Sequence, residues 1–370
     1  MKFRCERDTL ADALSTAQRA VASRTGALPV LFDVRITATS DGLELVGSDL
    51  EITNRVQVPA DVENTGVAVL PKILGDVVRK LAPGPVLVEV GDDEAKVTSG
   101  DFSTTLRLKA VDEYPRLVPS DGAGAKIDAK LFSGALRQVV KAASKDEQRP
   151  PLTGVLMAAR SGGAGLRLVA TDSYRLALRD LDGISMLQDG ERVLVAAKGL
   201  AEVQRLAGDD NLEVVFGDRD AVFRTGKAEV TVRLIEADFP NYEQLIPAGY
   251  PNRLVVAKDA FHDALERVVV VGQGRDNANV KLHMTANEGL ELSVSLADVG
   301  TSSGHIDAKY EGTDLTIAFN PQFLLDGIDA VDSQEVALET IDHLKPATLR
   351  GADGGDGADF MYLLMPVRTS

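Results

Sequence analysis

A hairpin that closes on Gly-Leu-x-Leu and runs into an aspartate turn is written three times in this chain, and that repetition limits the fold more than any other feature. The copies fall at Leu28–Glu51, Arg149–Ala177 and Asn279–Gly300. In the middle copy, apolar runs at Leu152–Ala159 and Leu166–Ala170 flank a Gly/Ser turn, which is a hairpin signal. The second run stops on Thr171-Asp172-Ser173-Tyr174-Arg175-Leu176. The flanking elements recur as well. Each copy opens with a short strand and an amphipathic helix, within Met1–Val21, Ala125–Ser144 and Leu254–Gly272. Each has a second helix, at Pro71–Leu81, Ala196–Leu206 and Pro321–Val331, and closes on short strands. A period of about 125 residues is the size of a whole domain, several times longer than a solenoid repeat. The expected fold is α+β: three repeated domains at 1–121, 125–248 and 252–370, each with two helices and short strands.

Composition narrows the class. The 370 residues are 44% hydrophobic, enough for two or three ordinary cores. Cys5 is the single cysteine, so no disulfide framework exists, and its place in the first strand predicts a small buried thiol. MKFRCERDTL lacks the apolar stretch of a signal peptide, and the longest apolar run, Phe360–Met365, is too short to span a bilayer. A soluble, cytoplasmic protein with no membrane contact is expected. The net charge of -16 argues against nucleic acid taken over the whole chain, but local charge decides phosphate contact.

The helices carry the local charge. In the first, Leu10, Leu14, Ala17 and Val21 form the apolar stripe, Asp8 stands at the N-cap position and Arg19 projects opposite. The second starts at Pro71 and is expected to bury Ile73, Leu74, Val77 and Leu81. In the middle domain, Asp128 caps a helix whose expected buried stripe is Leu131, Ala135, Val139 and Ala142. Lys130, Gly134, Arg137 and Lys141 line another face of it with three positive charges and no negative one, and Lys145 and Arg149 follow. A solvated face usually mixes signs to gain pairs at i,i+4, so this stripe is a candidate anion-facing surface. Lys198 and Arg205 on the partner helix are diluted by Glu202. In the third domain, Phe261, Leu265, Val268 and Val269 are the expected core face, and Asp326 and Asp329 make the second helix acidic.

No catalytic constellation is present. His262, His283, His305 and His343 lie in no metal-ligand spacing. Gly272-Gln273-Gly274 lacks the third glycine of a dinucleotide fingerprint, and Gly226-Lys227 lacks the rest of a P-loop. The Asp/Gly-rich loop Gly351–Asp359 reads as a solvated connection. Asp172 and Asp49 sit at the same place in their turns and Asp298 near it in the third copy, where aspartate caps backbone N–H groups. No cofactor and no metal are expected. Three copies of one architecture, none with a private insert, suit a scaffold better than a catalyst.

The opening MKF…ER, the GSDLE of the first copy, RPPLTGVL…LVATDSYRLA, FPNYEQLIP and the terminal YLLMPVR together resemble the bacterial sliding clamps, the beta subunits of DNA polymerase III, along the whole chain. AFNPQFLLDGI and the final Asp/Gly-rich loop look like the actinobacterial branch. The resemblance implies a ring-forming head-to-tail homodimer of clamp domains, each two helices backed by antiparallel sheets, with helices around a central hole. Geometry agrees on the dimer. Roughly six helices spaced about 10 Å apart leave only about 9 Å clear, whereas twelve leave about 28 Å, enough for a duplex.

The resemblance also implies residue roles. A peptide-binding pocket would be made by Leu152, Thr171, Ser173, Tyr174, Arg175 and Leu176, by Pro240 and Leu245, and by Leu363, Leu364, Met365, Pro366, Val367 and Arg368. An apolar slot with a few polar anchors suits a short hydrophobic motif. Sequence-independent contact with encircled double-stranded DNA would fall to Arg24, Arg137, Lys141, Lys145, Arg149, Lys198 and Arg205. The dimer would close between Thr104, Leu106 and Leu108 on one protomer and Val270 and Val271 on its partner. Implied partners are the polymerase III alpha subunit, the clamp loader, and other polymerases and repair proteins carrying clamp-binding peptides. Two readings compete with this one: a triplicated protein-interaction adaptor that never encloses DNA, and a second clamp copy altered against a clamp-directed inhibitor.

Overall fold

Alternating apolar and polar residues build most of the regular structure here into antiparallel strands. The structure, a computed structural model, describes residues 1–23, 28–118, 121–160, 162, 165–206, 208, 211–275, 278–353 and 359–368. The chain forms two compact units, Met1–Ser133 with Lys198–Leu234, and Gly134–Ala197 with Ile235–Ser370. The first unit holds a five-stranded sheet and an eight-stranded sheet. The eight-stranded sheet exists because Ile52–Val58 of the first repeat pairs with Ala228–Arg233 of the middle repeat. The second unit holds a nine-stranded and a four-stranded sheet. Here Arg175–Asp182 of the middle repeat pairs with Phe360–Leu364 of the third, Arg175 opposite Leu364 and Leu176 opposite Leu363. The middle repeat thus places one of its sheets in each unit.

Among the described residues, six α-helices accompany the sheets: α1 Arg7–Gln18, α2 Ile73–Lys80, α3 Ala129–Val139, α4 Ala197–Leu206, α5 Lys258–Val269 and α6 Pro321–Ala330. They fall where the periodicity puts them, with local corrections. Asp8 lies inside the first turn of α1, and Glu6 occupies the N-cap without a side-chain bond. In α2 the buried face is Leu74, Gly75 and Val78, leaving Ile73 exposed and Val77 half-buried. The reason is close packing: a methyl at Gly75 would meet Gln18 Oε1 of α1 at 2.4 Å. On α3, Phe132 is buried and stacks on Phe223 while Leu131 is exposed, since the larger ring takes the inward position. Asp128 caps this helix as expected, accepting from the Leu131 N–H at 2.8 Å. On α5, Ala264 joins Phe261, Leu265 and Val268 in the core, and Val269 is only half-buried. Cys5 is buried as expected.

The aspartate turn is one structure built twice. Tyr174 and Arg175 N–H groups donate to Asp172 Oδ1 at 2.9 and 3.0 Å, and Thr171 Oγ1 donates to the Arg175 carbonyl at 2.7 Å. In the first repeat, Glu51 and Ile52 N–H groups donate to Asp49 Oδ1 at 3.1 and 2.8 Å, and Ser48 Oγ donates to the Ile52 carbonyl. Ser173 and Leu50, at φ 81° and 74°, are the non-glycine residues with positive φ among the described residues. The aspartate and hydroxyl bonds hold those left-handed residues in place. The third repeat departs from this pattern: Asp298, in the tip of a tight hairpin in which Leu296 faces Gly300, pairs with Arg275 at 2.6 Å.

Candidate functional site

The middle hairpin, the Pro240–Leu245 stretch and the C-terminal strand meet in the second unit. Beneath them lies an apolar cluster of Leu156, Val169, Leu176, Leu178, Leu194, Phe239, Tyr242, Met361 and Leu363, with Ile235 and Ile246 against it. Past the strand, the Met365 N–H donates to the Tyr174 carbonyl at 2.9 Å, and the Val367 N–H donates to the Ala318 carbonyl at 2.7 Å. A chain end would ordinarily fray, but these bonds tie Met365–Val367 beside the Asp172–Arg175 turn. Of the expected pocket residues, Tyr174, Pro240, Leu245, Met365 and Arg368 are exposed, with Leu152, Pro366 and Val367 half-buried. Exposed Tyr174 and Met365 are thereby held side by side, apolar side chains of the kind that a short apolar motif uses.

Several expected contact residues are buried. Leu176, Leu363 and Leu364 are core residues of paired strands, buried because both faces of this sheet are covered. Thr171 is buried with its hydroxyl committed inside the turn. Arg175 is 8% exposed and its guanidinium is fully engaged. Nε reaches Asp172 Oδ2 at 3.0 Å, Nη1 reaches Asp326 Oδ2 at 2.5 Å and Tyr362 Oη at 3.3 Å, and Nη2 donates to the Lys141 carbonyl at 2.6 Å. The Phe323 ring lies under the guanidinium, 4.3 Å away, and stands tilted against Tyr174 at 6.4 Å. Burial opposes the arginine charge, but Tyr362, Asp326 and Asp172 outweigh it and hold the guanidinium above its ordinary pKa. Burial likewise pushes the Tyr362 hydroxyl up.

Asp326, Tyr362 and Phe323 had no signal at the level of pattern. Asp326 reads as a surface acid of α6, yet it is 9% exposed. Phe239 and Tyr242, which flank Pro240 in FPNY, were nearer to recognition, since an aromatic pair beside a proline marks a packed turn.

The basic residues are accompanied by acids that the linear stripe does not reveal. Arg137 pairs with Asp332, and Lys141 stands 3.5 Å from Asp326 and 3.6 Å from Asp329. Arg149 pairs with Asp146 at 3.0 Å and donates to Ser173 Oγ at 3.4 Å. Lys198 pairs with Asp49 at 3.0 Å. Arg205 and Arg19 share Glu202, which is buried between them rather than diluting a surface. The five candidates Arg137, Lys141, Arg149, Lys198 and Arg205 keep side chains 41–64% exposed. Lys145 is exposed without an ion pair among the described residues, and Arg24 lies outside them. On α5, His262 faces Asp263, Glu266 and, at 3.3 Å, Asp329, a half-exposed group of ordinary surface pairs.

The strand Phe102–Arg107 is the edge of the five-stranded sheet, and Gly300–Ile306 is the edge of the four-stranded one. Leu106 and Leu108 are partly buried against the first domain's own core, and Thr104 is half-buried. The exposed apolar residues beside it are Phe102 and Ile73, which line a groove of about 410 Å³ with Val77 and Leu81. At the end of α5, Val270 is 63% exposed, Val271 is half-buried, and a groove of about 730 Å³ opens next to Val269 and Val270.

Comparison with known proteins decides the family. Models of the DNA polymerase III beta subunit match in tandem, the N-terminal domain over residues 1–118, the central domain over 126–241 and the C-terminal domain over 243–368. The chain belongs to this family of sliding clamps. The beta sliding clamp of Streptomyces coelicolor is 34% identical over 389 residues, covering the whole of both chains. The clamp from Staphylococcus aureus is 30% identical, again over both full lengths. The solved sliding clamp of Bacillus subtilis superposes with a TM-score of 0.91 at 28% identity over both full chains. The sliding clamp of Pseudomonas aeruginosa bound to griselimycin gives 0.87 at 26% identity, also over both full chains. Three clamp domains of helices and antiparallel sheets therefore make up the chain, and the family is one of non-catalytic processivity subunits. Among the described residues, no helix is long and apolar enough to cross a membrane.

Proposed function

We infer that this clamp works as a homodimer that encircles duplex DNA and tethers proteins through the apolar surface beside the Asp172–Arg175 turn. The observation that carries the reading is the C-terminal tail, bonded to the Tyr174 carbonyl so that Met365 stands next to an exposed Tyr174. The three domains are taken as 1–121, 125–248 and 252–370. Tyr174, Leu152, Pro240, Leu245, Met365, Pro366 and Val367 meet the peptide of a polymerase III alpha subunit, clamp loader or repair protein, and Ser173 and Arg368 supply polar edges. Arg175, Leu176, Leu363, Leu364 and Thr171 support that surface from beneath.

The DNA contact is diffuse and electrostatic, through Arg24, Arg137, Lys141, Lys145, Arg149, Lys198 and Arg205. The acids paired with Arg137, Lys141, Arg149, Lys198 and Arg205 keep the grip weak, which suits a ring that must slide. The dimer joins the open edge at Phe102–Arg107, with Thr104, Leu106 and Leu108, to the partner's Gly300–Ile306 edge and its Val270 and Val271. An unpaired edge beside an exposed phenylalanine invites strand addition, and pairing two such edges removes the liability. The site of action is the cytoplasm, at the nucleoid.

The test is topological. Purified clamp placed on nicked circular DNA by a clamp loader should stay bound through gel filtration and be lost after the circle is cut. Equal retention on linear and circular DNA would favour an adaptor that never encloses the duplex.

A further inference from the structure

We propose that Asp326, on α6 of the third domain, is a positioning residue for the peptide surface of the middle domain, acting through the Arg175 guanidinium. The inference rests on the peptide surface described above. It starts from the two copies of the aspartate turn. In the first repeat, the turn reaches the same left-handed conformation and the same aspartate bonds with Ile52 where the middle repeat has Arg175. The Asp49 Oδ2 atom there is met by Lys198, whose side chain is 64% exposed. A buried guanidinium is therefore not needed to fold this turn.

The middle repeat nonetheless buries one, and burying an ion pair carries a desolvation cost that an apolar pair would avoid. What the arginine adds is rigidity toward one place. Its Nε locks Asp172 Oδ2, while Asp326, the Lys141 carbonyl and Tyr362 hold its far end from three directions. Phe323, packed under the guanidinium, leans against the exposed ring of Tyr174. Asp326 is itself fixed, with Oδ1 accepting from Gln322 Nε2 at 3.2 Å and standing 3.5 Å from Lys141 Nζ. A methyl at Gly327 would sit 2.7 Å from the Tyr362 ring, so the same helix turn admits the tyrosine that completes the cage. Remove the Asp326 charge, and the guanidinium loses its strongest partner while Phe323 loses the cation above it. Tyr174 and Ser173 then sample orientations that do not fit a peptide.

The experiment compares the parent dimer with Asp326→Asn, Arg175→Met and the double variant Arg175→Met/Asp326→Asn. Three readouts are hydrogen–deuterium exchange over residues 171–176, affinity for a labelled peptide with glutamine followed by Leu and Phe, and the urea unfolding midpoint. Asp326→Asn should speed exchange at the turn and weaken the peptide about tenfold, with the dimer intact. The double variant should regain the part of the midpoint that Asp326 and Arg175 cost when either is left buried without the other, while Asp172 keeps only its turn N–H donors, and it should retain fast exchange and weak peptide binding. Peptide affinity that recovers together with the midpoint would make the pair a stability element only and overturn the proposal. So would unchanged exchange at the turn in Asp326→Asn, a result that needs no ligand. If the parent fails to bind the peptide at all, the clamp reading of this surface is what falls, and exchange still decides the role of Asp326.

Discussion

Replacing Asp332 with asparagine should tighten the clamp's grip on duplex DNA, although the change removes an ion pair. Asp332 gives one oxygen to Arg137 and the other to Gln138 Nε2 at 3.1 Å, with its side chain 53% exposed. Two unit charges 4 Å apart attract by about 1 kcal/mol in water and about 4 kcal/mol at a protein surface. Exposed pairs keep only about 0.2–1 kcal/mol of that, because solvent screens them and the side chains lose freedom. Releasing Arg137 for a phosphate should therefore gain about 0.2–1 kcal/mol per subunit, roughly 1.4- to 5-fold in affinity. A dimer carries the change twice, so the expected gain is roughly 2- to 25-fold. Asp329, 43% exposed and 3.6 Å from Lys141 Nζ, should behave alike when changed to asparagine. The assay is fluorescence anisotropy on a short linear duplex from about 50 to 200 mM salt. The gain should be largest at low salt, where screening is weakest, and the log–log salt slope should steepen by up to about 0.9 per new phosphate contact. If Asp332→Asn leaves low-salt affinity unchanged or weakens it, and Arg137→Ala is equally silent, then Arg137 does not face the duplex and the argument fails.

Val270→Asp, and separately Phe102→Asp, should each give a folded protein that sediments as a monomer, since both side chains are exposed in the isolated chain and disturb no core; a surviving dimer moves the interface elsewhere. Gly327→Ala should lower the urea midpoint by the equivalent of about 1–3 kcal/mol, because its methyl would meet the fully buried Tyr362 ring at 2.7 Å and Leu349 at 2.8 Å; an unchanged midpoint means the ring can give way. Burial pushes the Cys5 thiol up to about 11, so the native chain should resist thiol reagents at pH 8. The unfolded thiol ionises above about pH 8.5, whereas the folded one holds its proton until about 11. Stability carried by Cys5 is therefore complete below pH 8.5 and lost as pH rises toward 11, and Cys5→Ala should flatten that part of the stability–pH curve.

The sequence by itself determined the repeat, the six helices and the strands between them, because each is a local pattern. Periods of two and of three to four residues, and turns of Gly, Asp and Ser, report on neighbours a few positions away. The aspartate turns at Asp49 and Asp172 were legible for the same reason: their bonds close within four residues. So was the family, since its motifs run in order along the chain. Tertiary structure decided which side chains are free to act. Arg137 and Lys141 read as an unopposed basic stripe until α6 and the turn after it bring Asp326, Asp329 and Asp332 against them, about 190 residues away in the chain. Leu131 and Phe132 compete for one inward position, and only the packed space beside Phe223 shows that the larger ring takes it. Arg175 reads as a pocket anchor and Asp326 as a surface acid, yet each is buried against the other. Partner choice among charges depends on distance in space and on access to water, and neither quantity is a function of spacing along the chain.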